Sequence, residues 1–330
     1  MEGNLLSDSD ETSCSTDEEP FFLSVQRARF RGGFGCDKIR QKIWRLLCDF
    51  NSPVDELSEE ELCKPSLHDI TNHPEFQQVQ ADVRRTLLRF PPNTTDLERQ
   101  ELLDALTPLI IRILIAYPQA RYYQGFHDIC LTVLLAVGPD DALFVSYYLA
   151  KTFFYRFLEM PMESARKYLN RIYMIVANVD WELYYHLVSY EVPNIFALSW
   201  IITWFSHDLE HYDSVTRLFD FFMTADEDMP LYVAAAMVLS SRKEVLSLSD
   251  SAEIFRTLLY LPKSVELEPS IEKAMDLYDD YPPESLSFPN RGSLLRFVCS
   301  SAKSMRLLWF AIGASTAAAI FYFMTRPDQI

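Results

Sequence analysis

The stretch Ala120-Arg-Tyr-Tyr-Gln-Gly-Phe-His-Asp-Ile129 lies between a turn signal, Tyr117-Pro118, and a long apolar run from Ile129 to Val137. Gly125, one of only 8 glycines in 330 residues, directly follows Gln124. A glycine there removes a side chain and lets another backbone or a ligand come close. These residues read as a helix start with Gln124 at its lip, amide outward, braced by Tyr122 and Tyr123. A helix start whose polar residues merely cap it fits the same stretch, so the upstream sequence has to decide.

Upstream, Phe76, Val79, Val83, Leu87 and Phe90 fall on one stripe at helical spacing, which predicts an amphipathic helix from Glu75 to Arg89. At about 100° per residue, Arg85 faces almost directly away from that stripe, while Arg84 lies beside it. Asp82, three residues earlier, can hold the Arg85 guanidinium by a charge-assisted hydrogen bond. A solvated helix face carries such an arginine too. Nearer the start, Asp37 caps a helix bearing Ile39, Ile43, Trp44, Leu46 and Leu47. Arg40 and Trp44, four apart, share a face of it and read as a structural cation–aromatic pair. Gly32-Gly-Phe-Gly35 is glycine-rich, but no G-x-x-x-x-G-K-S/T follows, so it is not a phosphate loop. If nucleotide matters, another protein brings it.

The same periodicity continues from Leu97 to Ala116. Beyond the quoted stretch it runs to about Tyr281 over expected helices at 140–158, 163–189, 194–208, 212–224, 230–240, 248–260 and 268–280. No alternating strand pattern persists, so the class is all-α. The formal charge of −17 argues against nucleic acid, whose phosphates need a basic surface, and permits a basic protein partner. Six scattered cysteines with no C-x-x-C pair read as reduced thiols rather than a disulfide frame or a zinc site.

The two ends differ from this middle. Residues 1–20 carry seven acidic side chains and no lysine or arginine, so 1–24 is expected to be a disordered acidic tail, with folded structure from near Val25. Within it, Glu19-Pro-Phe-Phe22 could serve as a short docking motif. Residues 284–304, rich in Ser, read as a linker. Leu307 to Met324 is an uncharged run that would extend about 27 Å as a helix, so 305–325 reads as a transmembrane tail anchor and the lipid bilayer as a partner. Trp309 and Tyr322 stand near its ends as interface anchors do, and Lys303, Arg306 and Arg296 favour a cytosolic domain on the amino side.

Val79-x-x-Asp82-x-x-Arg85-Thr86, followed by Tyr122-x-Gln124-Gly125, resembles the paired fingers of the TBC-domain Rab GTPase-activating proteins. Arg40-x-x-x-Trp44 is similar to the first motif of that family, Ser199-Trp200 with Phe205 to its third, and Arg217-Leu-Phe-Asp220 to its Arg-Ile-Trp-Asp element. The resemblance covers roughly residues 30–283. Val79 stands for isoleucine, Arg121 for glycine, Phe126-His127 for Met-Asn and Phe219 for tryptophan; these departures bear on partner preference rather than chemistry.

The resemblance implies a multi-helix TBC domain at 25–283, in two helical subdomains, that stimulates GTP hydrolysis by a membrane-bound Rab-type small GTPase at the endoplasmic reticulum or early Golgi. It implies that Arg85 offsets the charge developing on the γ-phosphoryl and that Gln124 positions the attacking water in place of the GTPase's own glutamine. Such an arginine is worth roughly 10³–10⁵ in rate, and lysine lacks its planar fork. An amide can accept from the water and donate to a phosphate oxygen. Asp82 would position the arginine and Tyr122 would shape the glutamine's loop, with Gly125, Arg40 and Trp44 in support. No cofactor of its own is implied, because GTP and Mg2+ travel with the partner. Two alternatives stand beside this: a TBC scaffold that binds a GTPase without activating it, and a zinc peptidase built on His207-Asp-Leu-Glu-His211, which matches H-x-x-E-H and would take a third ligand from Glu268 or Glu272.

Overall fold

Every regular element is a helix among the residues that the computed structural model describes, which are 21–30, 32–51, 62–92, 94–159 and 162–289. The chain divides into two units. The first, through Leu286, holds all of these helices, and of the second only residues 287–289 are described.

Within the first unit, packing gathers around two central helices. The helix Phe126–Thr152 touches the helices Asp37–Asn51, Phe76–Leu87 and Asp96–Ala116. Met229–Ser240 is covered by Met162–Val179, Leu267–Asp280, Leu198–Ile202 and Ser251–Ser264. Every residue from Met229 to Val238 is buried, as expected of a helix that is apolar all round. Local chemistry sets the starts of the surrounding helices. Thr95 caps Asp96–Ala116 in a capping box, its backbone N–H donating to Glu98 Oε2 at 2.7 Å while its own hydroxyl oxygen accepts from Glu98 N–H at 3.3 Å. Such a cap is worth about 1 kcal/mol.

Several boundaries depart from the periodicity. The expected helix 163–189 is two helices, Met162–Val179 and Trp181–Ser189, divided at Asp180, whose carboxylate accepts from Leu183 N–H at 2.9 Å and caps the second. The expected 194–208 helix stops at Ile202, because Trp204 and Phe205 take positive φ values of 47° and 65°. That corner seats the Trp204 ring among Phe153, Phe154, Phe219 and Phe222, 5.0–5.3 Å between centroids. Residues 21–24, expected within the disordered tail, belong to the helix Phe21–Phe30, and Ser24 is buried. Arg217 ties that helix down by donating from Nη1 to Ala28 O at 2.7 Å.

The expected C-terminal transmembrane helix, and the lipid bilayer as a partner held through it, are corrected. Among the described residues, the helix long and apolar enough to cross a membrane is Phe126–Thr152, in the middle of the chain, and its apolar window is 61% buried in the domain. Gly138 also breaks it, with φ +78°, into two shorter helical runs. Its apolarity belongs to the protein core. Residues 305–325, and 290–304 of the expected linker, lie outside the described residues.

One buried carboxylate joins segments far apart in the chain. Asp220, fully buried, accepts from Phe34 N–H at 2.9 Å, Arg40 Nε at 3.1 Å and Trp44 Nε1 at 2.9 Å. Arg40 and Trp44 thus converge on an acceptor from another helix, with Trp44 stacked on Phe219 at 5.9 Å. The glycine run has its reason here as well. Gly33 takes φ +77°, and a Cβ on it would lie 2.5 Å from Asp220 Oδ2. Burial pushes the Asp220 carboxyl up to about 6 even with Arg40 beside it. Between the ordinary value of 3.8 and about 6 the folded chain keeps a proton that the unfolded chain releases, so this group's contribution to stability declines as pH rises through that window. Asp220→Ala leaves a buried guanidinium and an indole N–H without an acceptor. It is expected to lower the unfolding free energy by about 3–5 kcal/mol in urea titrations. A loss below 1 kcal/mol would show that the contact is not a structural joint.

Candidate functional site

The helix Phe76–Leu87 turns Val79, Val83 and Leu87 inward together with two polar residues, Asp82 and Thr86. Arg85 stands on the opposite face with 64% of its side chain exposed, while the Asp82 side chain is 1% exposed. Arg85 Nη2 donates to Asp82 Oδ1, so a solvent-facing guanidinium is tied to a buried carboxylate one turn back. Gln78 Nε2 donates to the other carboxylate oxygen at 3.0 Å. Arg84, read as lying beside the apolar stripe, is exposed as well. The difference between the two arginines is therefore Asp82 rather than exposure.

Gln124 is exposed at the end of the loop before the helix Phe126–Thr152, and Gly125 is that helix's N-cap with φ +122°. A Cβ on Gly125 would sit 2.9 Å from Thr203 Cγ2, so the glycine permits a close approach of the 203 segment as well as an unusual backbone angle. The two tyrosines before Gln124 do brace the loop, in opposite directions. Tyr123 is buried and donates from its hydroxyl to Ile202 O at 2.7 Å. Tyr122 reaches the arginine's helix: its hydroxyl lies 3.0 Å from Asp82 Oδ2, and its backbone N–H donates to Glu75 Oε1 at 3.0 Å. Asp82 thus connects the segments carrying Arg85 and Gln124. Arg40 and Trp44, expected to support the site, make their hydrogen bonds to Asp220.

A second set of polar groups, missed in the sequence, extends inward. The Tyr122 hydroxyl is also 2.7 Å from His127 Nδ1, and His127 Nε2 is 2.8 Å from Thr86 Oγ1. Thr86 Oγ1 donates to Asp128 Oδ1 at 3.1 Å, and His207 Nδ1 lies 3.0 Å from Asp128 Oδ2. Burial pulls His127 below its ordinary value despite the neighbouring Asp128. The hydrogen bond to Asp128 raises His207. Burial would lift Asp128, but its bond from His207 and the charges of both histidines leave it lower than usual. Burial pushes the Tyr122 phenol far up, so it keeps its proton. The signal for this set was the Phe126-His127-Asp128 that follows Gly125, together with Thr86 beside Arg85.

The residues of the H-x-x-E-H reading are drawn apart by other partners. His207 turns to Asp128, Glu210 accepts from Lys263 Nζ at 2.7 Å, and Glu268 accepts from Arg217 Nε at 2.6 Å. Among the described residues no group of three His, Cys, Asp or Glu side chains is placed to hold a metal ion.

Human TBC1 domain family member 20 is 37% identical over 261 residues, which is 78% of this chain and 62% of that protein. The chain therefore spans somewhat less than two thirds of the human relative's length. The GTPase-activating protein gyp10 of Schizosaccharomyces pombe is 28% identical over 77% of the chain and 67% of its own length. Among solved structures, the Ypt/Rab-GAP domain of Gyp1p superposes with a TM-score of 0.61, at 15% identity over 81% of this chain and 95% of that one. The Chlamydomonas flagellar RabGAP TBC domain gives 0.60 at 15% identity, covering 79% and 84%; these two likenesses establish the fold. Residues 37–246, which hold Arg85, Gln124 and Asp220 with its Arg40 and Trp44 donors, match the Rab-GTPase-TBC domain, and the chain belongs to that family.

Proposed function

We propose that this chain is a GTPase-activating protein for a Rab-type small GTPase in vesicle traffic, supplying Arg85 and Gln124 in trans to the partner's bound GTP and Mg2+. Family membership supports the reaction class, and the observation that carries the site is the Arg85–Asp82 pair. An arginine mostly exposed yet tethered to a buried carboxylate is suited to enter another protein's nucleotide site, because its direction is set while its Nη atoms stay open to a phosphate. Hydrolysis spreads charge over the γ-phosphoryl oxygens, and a guanidinium delivered there offsets it.

Gln124 is the second finger in this reading. Its amide faces solvent beside a glycine that lets the loop lie against Thr203, and it would hold the attacking water in line. Asp82 orients Arg85, and Tyr122 of the glutamine's loop places its hydroxyl 3.0 Å from the same carboxylate. An endoplasmic reticulum or early Golgi setting, where the membrane-bound Rab would be met, rests on the sequence resemblance alone.

Arg85→Ala is expected to lower stimulated hydrolysis about 10³-fold or more with the fold retained and only a small loss of melting temperature, since the arginine side chain is mostly exposed and buried Asp82 keeps the Gln78 amide as a donor. Arg84→Ala keeps most of the activity. Phosphate release from a panel of GTP-loaded Rabs measures both, and an inactive Arg84→Ala beside an active Arg85→Ala sinks this assignment. Gln124→Ala is expected to cut turnover strongly while leaving binding to a GTPase–GDP–aluminium fluoride complex detectable. Unchanged turnover there would mean that the GTPase's own glutamine holds the water.

A further inference from the structure

Asp82 and Asp128 are joined by four contacts in series: Asp82 Oδ2 to the Tyr122 hydroxyl (3.0 Å), that hydroxyl to His127 Nδ1 (2.7 Å), His127 Nε2 to Thr86 Oγ1 (2.8 Å), and Thr86 Oγ1 to Asp128 Oδ1 (3.1 Å). Each contact needs one proton, and an ionised carboxylate at either end can only accept. Tyr122 and Thr86 carry one proton each, and a neutral imidazole carries one. Three protons cannot fill four contacts. An imidazolium supplies the fourth.

Which contact lacks its proton when His127 is neutral follows from the surroundings. Asp128 Oδ1 lies 3.4 Å from Nε2, favouring a hydrogen on that nitrogen. The Gly125 backbone N–H points at Nδ1 from 3.4 Å, favouring a bare nitrogen there. The Tyr122 hydroxyl is also nearer to Nδ1 than to Asp82. All three favour the Nε2–H form, with the tyrosine proton directed to His127 and the contact with Asp82 unfilled.

We propose that His127 is a positioning residue for Arg85, acting as a proton-controlled switch on the Tyr122 hydroxyl. A proton taken from solvent onto Nδ1 makes that nitrogen a donor to the Tyr122 oxygen, and the tyrosine O–H turns to Asp82 Oδ2. Asp82 then has Arg85, Gln78 and Tyr122 as donors, and the arginine is held more firmly. Acid therefore strengthens the finger. Around His127 the charged and titratable groups are Asp82, Arg85 and Arg89 from the Phe76–Leu87 helix and its end, Tyr122 from the loop, Asp128 on its own helix, and His207 on the far side of Asp128. His207 already donates to Asp128 and does not enter the count.

The switch rests on the proposed Rab-activating role only for its effect on turnover, so the test has two arms on the full chain. In the first, 15N imidazole spectra of histidine-labelled protein, assigned with His127→Asn, are expected to show the Nε2–H form at pH 8. His127 should pass to imidazolium below its ordinary value of 6.5. A neutral Nδ1–H form, or a His127 still cationic at pH 8, overturns the proposal. In the second, stimulated kcat of the wild type is divided by that of His127→Asn, whose amide does not titrate, against whichever GTP-loaded Rab of the panel responds. The ratio should rise up to about tenfold between about pH 7.5 and about pH 5.5 with KM unchanged, and Tyr122→Phe should abolish the rise. A flat ratio overturns the coupling to Arg85. If no Rab responds, the proposed function fails, and the imidazole spectra still decide the proton arrangement.

Discussion

Closure of the first unit depends on a carboxylate taken out of water and given three donors. Asp220 receives a backbone N–H from Phe34, a guanidinium from Arg40 and an indole from Trp44, so the start of the domain is fixed to a helix more than 170 residues later. Burying such a group is costly when it is unpaired and tolerable when its oxygens are filled. That condition explains otherwise unrelated sequence features: the glycine at 33, where a Cβ would strike Asp220 Oδ2, and the four-residue spacing of Arg40 and Trp44. Neighbouring Arg217 extends the joint by gripping Glu268 and Ala28 O.

The candidate site repeats the device with a different outcome. Asp82 is as buried as Asp220, but one of its donors is an arginine whose side chain is mostly outside. A buried carboxylate with inward donors makes a joint. With an outward arginine it makes a mount.

Legibility in the sequence followed the range of the interaction. The orientation of Arg85 was readable because helical periodicity is local, and Asp82 was found because i and i+3 meet on any helix. The role of Gly125 was readable as a need for closeness, though not that Thr203 is what comes close. Contacts between distant segments were not readable. Arg40 and Trp44 looked like a pair because their common acceptor lies 180 and 176 residues away. Thr86 and His127 stand out in the sequence only through the family motif and its departures, and their connection to Asp128 was not readable, since only the packing of two helices turns the three toward one another. The long apolar run at 126–152 shows the same limit from the other side, because composition alone does not distinguish a core helix from a membrane span.

The opposed tyrosines on the glutamine's loop bear on the thermodynamics of meeting a partner. A loop that becomes ordered only on association subtracts its conformational entropy from the affinity. Here Tyr123 is fastened to Ile202 and Tyr122 to the arginine's helix, so the backbone that carries Gln124 is ordered during folding. Most of the freedom left to restrict at an encounter is that of two side chains. In the proposed role, such a surface loses little conformational entropy when it meets a nucleotide-bearing partner.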